Sequence, residues 1–255
     1  LKQFFEEYKD ATLYDKENHR TPELEFLKRL AEDCEGPIID VACGTGRITV
    51  PLAMAGHELI GVDAEQEMLQ LAEEKSKKAN LPIAWIKQDC RMFDAGLKTS
   101  LIYSVGNSFQ HFLTNEDQDG LLGSVSRHLE EGGLFVFDTR FPSAEELLQP
   151  PTEEYWTSYT DGDTGQKVKL STISHYDGLE QIQYYTTFRK FIQNGAVVRE
   201  LKTRVNLRYV YPKEVERLME KHHFKIMNVF SDWNGSPLQP ESYAMVYVCK
   251  KVVQP

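Results

Sequence analysis

Asp40, Asp63 and Asp89 each close a short apolar run, within Ile38–Arg47, His57–Asp63 and Ile83–Asp89. Strands of a parallel sheet end at one crevice, so three carboxylates at successive strand ends converge on one site. The first acid leads into Val41-Ala42-Cys43-Gly44-Thr45-Gly46-Arg47, a small-residue turn entering a helix-like segment. Such a loop lets a nucleotide-like ligand approach the backbone closely. A dinucleotide loop needs three glycines spaced G-x-G-x-x-G. Counted from Gly44 or from Ala42, the third place holds Thr49 or Arg47. A carboxylate at Asp40 would repel a pyrophosphate and attract a cationic sulfonium. The loop therefore favours S-adenosylmethionine over NAD. Asp63 follows Gly46 at about the spacing, roughly 20 residues, at which an acid takes both ribose hydroxyls. A lone strand-end Asp is more often a turn or cap residue. Three in register with the loop favour a binding site.

The elements that must position these acids follow from periodicity. Helices are expected over 2–9, 22–33, 46–55, 65–79, 115–130 and 212–222. Thr21 should cap the second and Thr114 the fifth. Met68, Leu71, Ala72 and Ala79 should face inward from the fourth, and Leu121, Leu122, Val125 and Leu129 from the fifth. Runs at 99–106 and 134–138, after Gly132-Gly133, read as the fourth and fifth strands. This alternation predicts an α/β fold, a Rossmann-like doubly wound, seven-stranded, mostly parallel sheet closed by strands at 224–232 and 241–249. After Pro150-Pro151 the apolar period changes to two. Asp177-Gly178 and Asn194-Gly195 signal tight hairpins. A small antiparallel sheet of about four strands is expected there, with one apolar face: Ile182, Tyr184, Phe188 and Ile192 from one run, and Val197, Leu201, Val205, Leu207 and Tyr209 from its partner. The core is thus 1–151 and 211–255, and 152–210 is an inserted β lid. An insertion at these strand ends can roof the site, or pack on a second subunit to give a homodimer.

The chain resembles the class I S-adenosylmethionine-dependent methyltransferases, and among them the small-molecule branch that includes amino-sugar N-methyltransferases. The matching stretches are DVACGTGR (40–47), GVDAEQEML (61–69), QDCRMF (88–93), GNSFQHF (106–112), HLEEGGLFVFD (128–138) and RYVYPKEVERLMEKHHF (208–224). The resemblance implies methyl transfer from S-adenosylmethionine, leaving S-adenosylhomocysteine, to a small-molecule acceptor at nitrogen or, less favoured, oxygen. It implies a cofactor cradle of Asp40, Ala42, Cys43, Gly44 and Gly46. Asp63 would hold the ribose and Asp89 the adenine amino group, with the Cys90 backbone at the ring, and Ala64, Met68 and Val105 complete the cofactor-binding residues. Tyr14 would cover the methionine end, and His111 would stand beside the acceptor. The histidine is also the best base candidate from its place past the fourth strand, because its ordinary pKa suits proton uptake near neutrality. The sequence departs from the family at Ala42, commonly Gly, and at Ser100, often an acid. Arg140, after the fifth strand, could meet an acidic acceptor. Two rivals remain open: a cofactor-binding protein without turnover, and an NAD-dependent oxidoreductase.

Composition bounds the partners. A net charge of −10 over 255 residues, without a basic stripe, argues against nucleic acid. The loop after the fourth strand lacks the Asn/Asp-Pro-Pro-Tyr of nucleic-acid amino methylation. The four cysteines have neither C-x-x-C nor zinc spacing, no acid–Asn pair suggests a magnesium site, and His222-His223 fits a helix C-terminus without a metal. Free thiols, no ~20-residue apolar run and no leader layout predict a cytoplasmic protein with no membrane partner. Leu1 in place of Met reads as a trimmed start.

Overall fold

A computed structural model describes residues 6–253. In chain order the core elements are a 3₁₀ turn Glu6–Tyr8, α1 Ala11–Glu17, α2 Leu24–Ala31, β1 Ile38–Val41, α3 Thr49–Met54, β2 Leu59–Asp63, α4 Gln66–Lys78, β3 Ala84–Lys87 and β4 Thr99–Ser104. A second 3₁₀ turn Ser108–His111, α5 Asn115–His128, β5 Leu129–Arg140 and α6 Ala144–Leu147 follow. Then come β6 Glu154–Thr160, β7 Lys167–Asp177, β8 Ile182–Gln193, β9 Ala196–Arg208, α7 Pro212–Lys221, β10 Phe224–Phe230 and β11 Ala244–Lys251. The large sheet has the order β10-β11-β5-β4-β1-β2-β3, and β6-β7-β8-β9 form a separate four-stranded sheet. All pairs of the large sheet are parallel except those made by β11. The expected architecture is therefore the observed one.

The core divides across this sheet. On one side β1, β4 and β5 present Ile39, Ile102, Phe135 and Phe137 to Leu121, Leu122 and Val125 of α5 and to Met219 of α7. On the other, Ile38, Leu101 and Tyr103 meet Leu27 and Ala31 of α2 and Leu52 of α3. Burial on both faces is what the uninterrupted apolar runs of parallel strands require. Pro51 is tolerated because α3 starts at Thr49, where no intrahelical acceptor awaits a proline N–H. Thr114 caps α5 as expected, in a reciprocal pair with Asp117.

Some expectations need correction. Only residues 6–9 of the 2–9 helix lie among the described residues, where a single 3₁₀ turn stands at 6–8. The helix α1 has no counterpart in the sequence reading. Thr21 is not the side-chain cap of α2, which begins at Leu24 with no such bond. Gly132-Gly133 lies inside β5, which starts straight from the end of α5. Ala79 is exposed, and Ser76 takes an inward place on α4. Asn194-Gly195 makes the tight hairpin, both residues having positive φ. Asp177-Gly178 instead opens a longer connection, in which the Asp177 carboxylate accepts from the Leu179 and Glu180 N–H groups.

The inserted sheet also turns a different face inward on β8. Residues opposed across β8 and β9 share a face, and the register pairs Gln183 with Leu207, Tyr185 with Val205, Thr187 with Thr203 and Arg189 with Leu201. The expected β9 face is thus inward in its later half, while Val197 remains exposed. Its β8 partners are the polar residues and not Tyr184 and Phe188. Those two rings lie on the other face, against His175 and Lys202. A sheet face that lines a polar cavity keeps polar side chains, so apolar alternation identified the wrong side. Among the described residues no helix is long and apolar enough to cross a membrane.

Candidate active site

The turn after β1 carries Ala42, Gly44 and Gly46 at φ 60, 55 and 72°. Alternating left-handed residues curl this loop, and Asp63 locks it to the end of β2. One Asp63 carboxylate oxygen accepts the Gly44 N–H at 2.8 Å and the other the Glu65 N–H at 2.9 Å. The side chain is nearly buried, which raises its pKa against the opposing effect of those bonds. A Cβ on Gly44 would meet nothing within 4 Å, because that position opens on a cavity; on Gly46 it would come within 2.8 Å of the Trp85 ring.

This first cavity, of about 170 Å³, is lined by Tyr14, Ala42, Gly44, Asp63, Ala64 and Met68. Asp89, Cys90 and His111 line it as well. Asp40, Cys43, Gly46 and Val105 lie off its wall. Asp40 sits beneath the loop, where the Thr49 hydroxyl donates to Oδ2 at 2.6 Å. Burial pushes its carboxyl up to about 7, against the Thr49 bond. Cys43 and Val105 are buried in the packing below. Gly46 is required by Trp85 and not by the cavity. Sequence reasoning missed Tyr8, Glu65, Arg91, Gly106, Ser108, Phe112 and Asp117 on the same wall. Arg91 holds Asp89 in a fork, Nε to Oδ1 at 2.9 Å and to Oδ2 at 3.0 Å, and reaches Asp117 at 2.5 Å. That guanidinium keeps the Asp89 carboxyl below its ordinary value.

Residues Glu6–Glu17 form a strap across the cavity. Asp15 accepts from the Thr45 hydroxyl at 2.5 Å and pairs with Lys75 of α4, fastening α1 to the glycine loop. Glu7 and Glu17 both grip Arg189 of β8, at 2.5 and 2.7 Å, with Arg189 only 5% exposed. Glu6 pairs with Arg204 of β9, and Lys16 with Asp161. The Tyr8 hydroxyl shares a 2.7 Å hydrogen bond with His111 Nε2. Burial first, then the charge of Arg140, pushes the His111 pKa down to about 4. The imidazole is therefore neutral at pH 7, contrary to the expected proton uptake near neutrality.

A second cavity, of about 490 Å³, adjoins the first, and Tyr8 and Tyr14 line both. Thr172, Tyr185, Thr187, Arg189, Val205 and Leu207 of the inserted sheet line one side, and Asn107, Arg140 and Ala244 the core side. His111 lies on the wall of the first cavity, with Tyr8 next to it. Glu146 Oε1 accepts from Tyr185 at 2.5 Å, Tyr209 at 2.9 Å and Arg140 at 3.2 Å. Arg140 keeps a third of its side-chain surface open to the cavity.

Comparison with known proteins fits this geometry. Residues 38–133 match the Methyltransferase domain family model. The chain is 24% identical to the glycine/sarcosine N-methyltransferase of Aphanothece halophytica, over 89% of this chain and 80% of that protein. Among solved structures, an S-adenosylmethionine-dependent methyltransferase from Clostridium acetobutylicum superposes with TM-score 0.79 at 21% identity, covering 95% of this chain and 98% of that one. The amino pentose methyltransferase CalS10 of Micromonospora echinaspora, with S-adenosylmethionine bound, superposes with TM-score 0.74 at 17% identity, covering 99% of each.

Proposed function

Because the chain is a class I S-adenosylmethionine-dependent methyltransferase, we propose that it methylates the nitrogen of a small amine held in the second cavity, under the inserted sheet 152–210. The observation that carries this reading is the pair of joined cavities partitioned by Tyr8 and Tyr14. One cavity has the glycine loop and a strand-end acid; the other has a polar, roofed wall.

The first cavity fits the cofactor. Gly44 opens on free space, and Asp63 presents a carboxylate already oriented by two backbone donors. Asp63 would take the ribose hydroxyls, Asp89 the adenine amino group, Met68 the adenine face and Tyr14 the methionine end. When bound, S-adenosylmethionine supplies a methyl group activated by the sulfonium charge. The residues of this chain then have to align the acceptor and exclude water, and alignment alone can lower the barrier by ~7–11 kcal/mol. Tyr8 and Tyr14 stand at the passage between the cavities and shape the line of approach. A neutral amine held in line would supply the lone pair for the new carbon–nitrogen bond as the carbon–sulfur pair goes to sulfur, and its surplus proton would pass to solvent water.

The His111 environment favours nitrogen over oxygen. His111 lines the first cavity and not the second, and burial, which pushes its pKa down to about 4, makes it a weaker base toward an alcohol proton than an ordinary imidazole. A neutral amine already carries its lone pair. Arg140, with part of its guanidinium facing the cavity, would anchor an anionic group of the acceptor. The test is a panel of amines and alcohols incubated with S-adenosylmethionine, reading S-adenosylhomocysteine. Amine-dependent product is expected. Tight cofactor binding without product from any acceptor would favour a non-catalytic binder, and product from alcohols alone would refute the nitrogen assignment.

A further inference from the structure

A third recess, of about 650 Å³, shares only Glu7 and Arg189 with the second cavity and nothing with the first. Its lining comes from the strap, over residues 6–13, and from β8 and β9 of the inserted sheet. Among the described residues β9 is the outermost strand of that sheet, so the recess is a groove along a sheet edge. No residue of the glycine loop or of the large sheet lines it.

Charge does not balance in this groove. Five cations line it against three carboxylates, in a chain whose net charge is −10. The three carboxylates are all committed. Glu6 pairs with Arg204 at 2.6 Å, and Glu7 holds Arg189 at 2.5 Å and accepts from the Thr203 hydroxyl at 2.7 Å. Asp10 accepts the Leu13 N–H at 2.9 Å. The other three cations are Lys9 of the strap and Arg199 and Lys202 of β9, all exposed. None of the ion pairs among the described residues includes them. The Glu6 carboxyl is held below its ordinary value by Arg204 first, with Lys9 only a distant last contribution. Glu200 opposes Lys190 across the ladder and does not line the groove. Arg199 lies 4.7 Å from the centre of the Phe191 ring and Lys202 5.4 Å from that of Phe188. Such contacts steady a cation without cancelling its charge.

We propose that this groove binds a small anion bearing several phosphate groups, and that the anion fastens the strap to the inserted sheet. Guanidinium forks take phosphate oxygens in pairs, and a lysine ammonium adds a point charge. The strap and β9 each contribute an uncommitted cation, so a chain of phosphates can satisfy both sides at once. Lys9 and the two β9 cations are like charges across one groove; an anion between them turns repulsion into attraction. The occupant touches only the strap and the inserted sheet, so its effect on the cofactor has to pass through the strap. A fastened strap should hold S-adenosylhomocysteine more tightly. By reciprocity, the cofactor-loaded chain should bind the anion more tightly by the same factor. This coupling rests on the reading of the first cavity as the cofactor site; the binding of the anion does not.

The experiment is calorimetric titration of the full chain with tripolyphosphate, then with S-adenosylhomocysteine in its presence and absence, at an ionic strength held constant with potassium chloride. Tripolyphosphate is expected to bind, and orthophosphate to bind at least about tenfold more weakly. Saturating tripolyphosphate should raise S-adenosylhomocysteine affinity about fivefold or more. The double variant Arg199→Gln, Lys202→Gln should lose both the anion and the rise, yet bind S-adenosylhomocysteine as the parent does without the anion. A melting curve confirms that it folds. Lys9→Gln should keep most of the anion binding and lose the rise, because it removes the strap's side of the bridge. ATP carries the same three phosphates and separates the sources: tighter binding of ATP assigns a nucleotide, and equal or weaker binding a phosphate chain alone. The proposal is overturned if tripolyphosphate does not bind, if orthophosphate binds as tightly, or if the double variant binds tripolyphosphate like the parent. It is overturned equally if saturation with the anion leaves S-adenosylhomocysteine affinity unchanged or lowers it. A chain that binds tripolyphosphate through Arg199 and Lys202 but never binds S-adenosylhomocysteine would defeat the cofactor reading of the first cavity and leave the anion site standing.

Discussion

Asp63, which locks the glycine loop, and Gly46 within it have opposite duties. Asp63 faces the cavity, and its removal would strip charge-assisted hydrogen bonds worth ~1.5–3 kcal/mol each. Asp63→Ala should weaken S-adenosylhomocysteine binding by at least about tenfold, measured by titration alongside a melting curve that confirms folding. Gly46 faces Trp85, so its substitution is a stability matter. Gly46→Ala would put a side chain into a left-handed residue, at roughly 1–2 kcal/mol, and against a packed ring, at roughly 1–3 kcal/mol. A fall in Tm of roughly 5–15 °C is expected. Asp63 and Gly46 were both visible in the sequence, in the second and first motifs, but the glycine motif could not say that Gly44 opens on the cavity while Gly46 serves the packing. That depends on where the Trp85 ring comes to rest. The pH dependence follows from two buried acids, Asp40 and Asp138, each raised to about 7, chiefly by burial. An acid with a raised folded pKa binds its proton more tightly when folded, so the free protein loses stability as pH climbs from about 4 to about 7. His111, lowered to about 4 from 6.5, acts oppositely: the unfolded chain takes its proton first, and stability falls as pH drops through that window. A bound sulfonium cation favours the ionised form of Asp40. The ratio of S-adenosylmethionine to S-adenosylhomocysteine affinity should therefore rise from pH 6 to pH 8, and rise less in Asp40→Asn. An equal slope in that variant would remove Asp40 from the account.

At the scale of elements, the strands and helices of the core were legible because each carries its own pattern: doubly buried apolar runs, a threonine cap on α5, a glycine turn after β1. The strap was not legible. The 3₁₀ turn at Glu6–Tyr8 is an isolated single turn, and α1 has seven residues, too few to be stable alone. Its place is set by partners such as Arg189 and Arg204, more than 170 residues away along the chain. No local periodicity encodes such pairings. The same limit explains Arg189 on the inner face of β8, whose carboxylate partners Glu7 and Glu17 come from the strap. Removing Arg189 leaves Glu7 and Glu17 facing each other without a counter-ion, a situation that costs roughly 3–5 kcal/mol where the site cannot relax. The strap can relax by undocking. Arg189→Met should therefore speed amide hydrogen exchange across residues 11–17 while shifting the global melting temperature little. Unchanged protection of that segment would show that the ion pairs are not what holds it.

For the whole molecule, the strap ties the core to the inserted sheet, through Asp15 on one side and through Arg189, Arg204 and Asp161 on the other. Replacing residues 153–210 by a short linker should abolish methyl transfer, since it removes Tyr185, Thr187 and Arg189 from the second cavity. It should also weaken S-adenosylhomocysteine binding several-fold, because the strap loses Arg189, Arg204 and Asp161 together. Titration of the excised protein, once its far-UV spectrum shows a folded core, checks both. Full cofactor affinity without the inserted sheet would mean that Asp15, tied to Thr45 and Lys75, holds the strap alone. The strap also spans both cavities, with Tyr8 and Tyr14 on each wall. A molecule that leaves the first cavity past Tyr8 and Tyr14 has to displace the strap, whatever its chemistry. Residence times of chemically different cofactor analogues should converge on the lifetime of the closed strap instead of tracking their affinities. Because that closure is held by ion pairs, added salt should shorten all of them together.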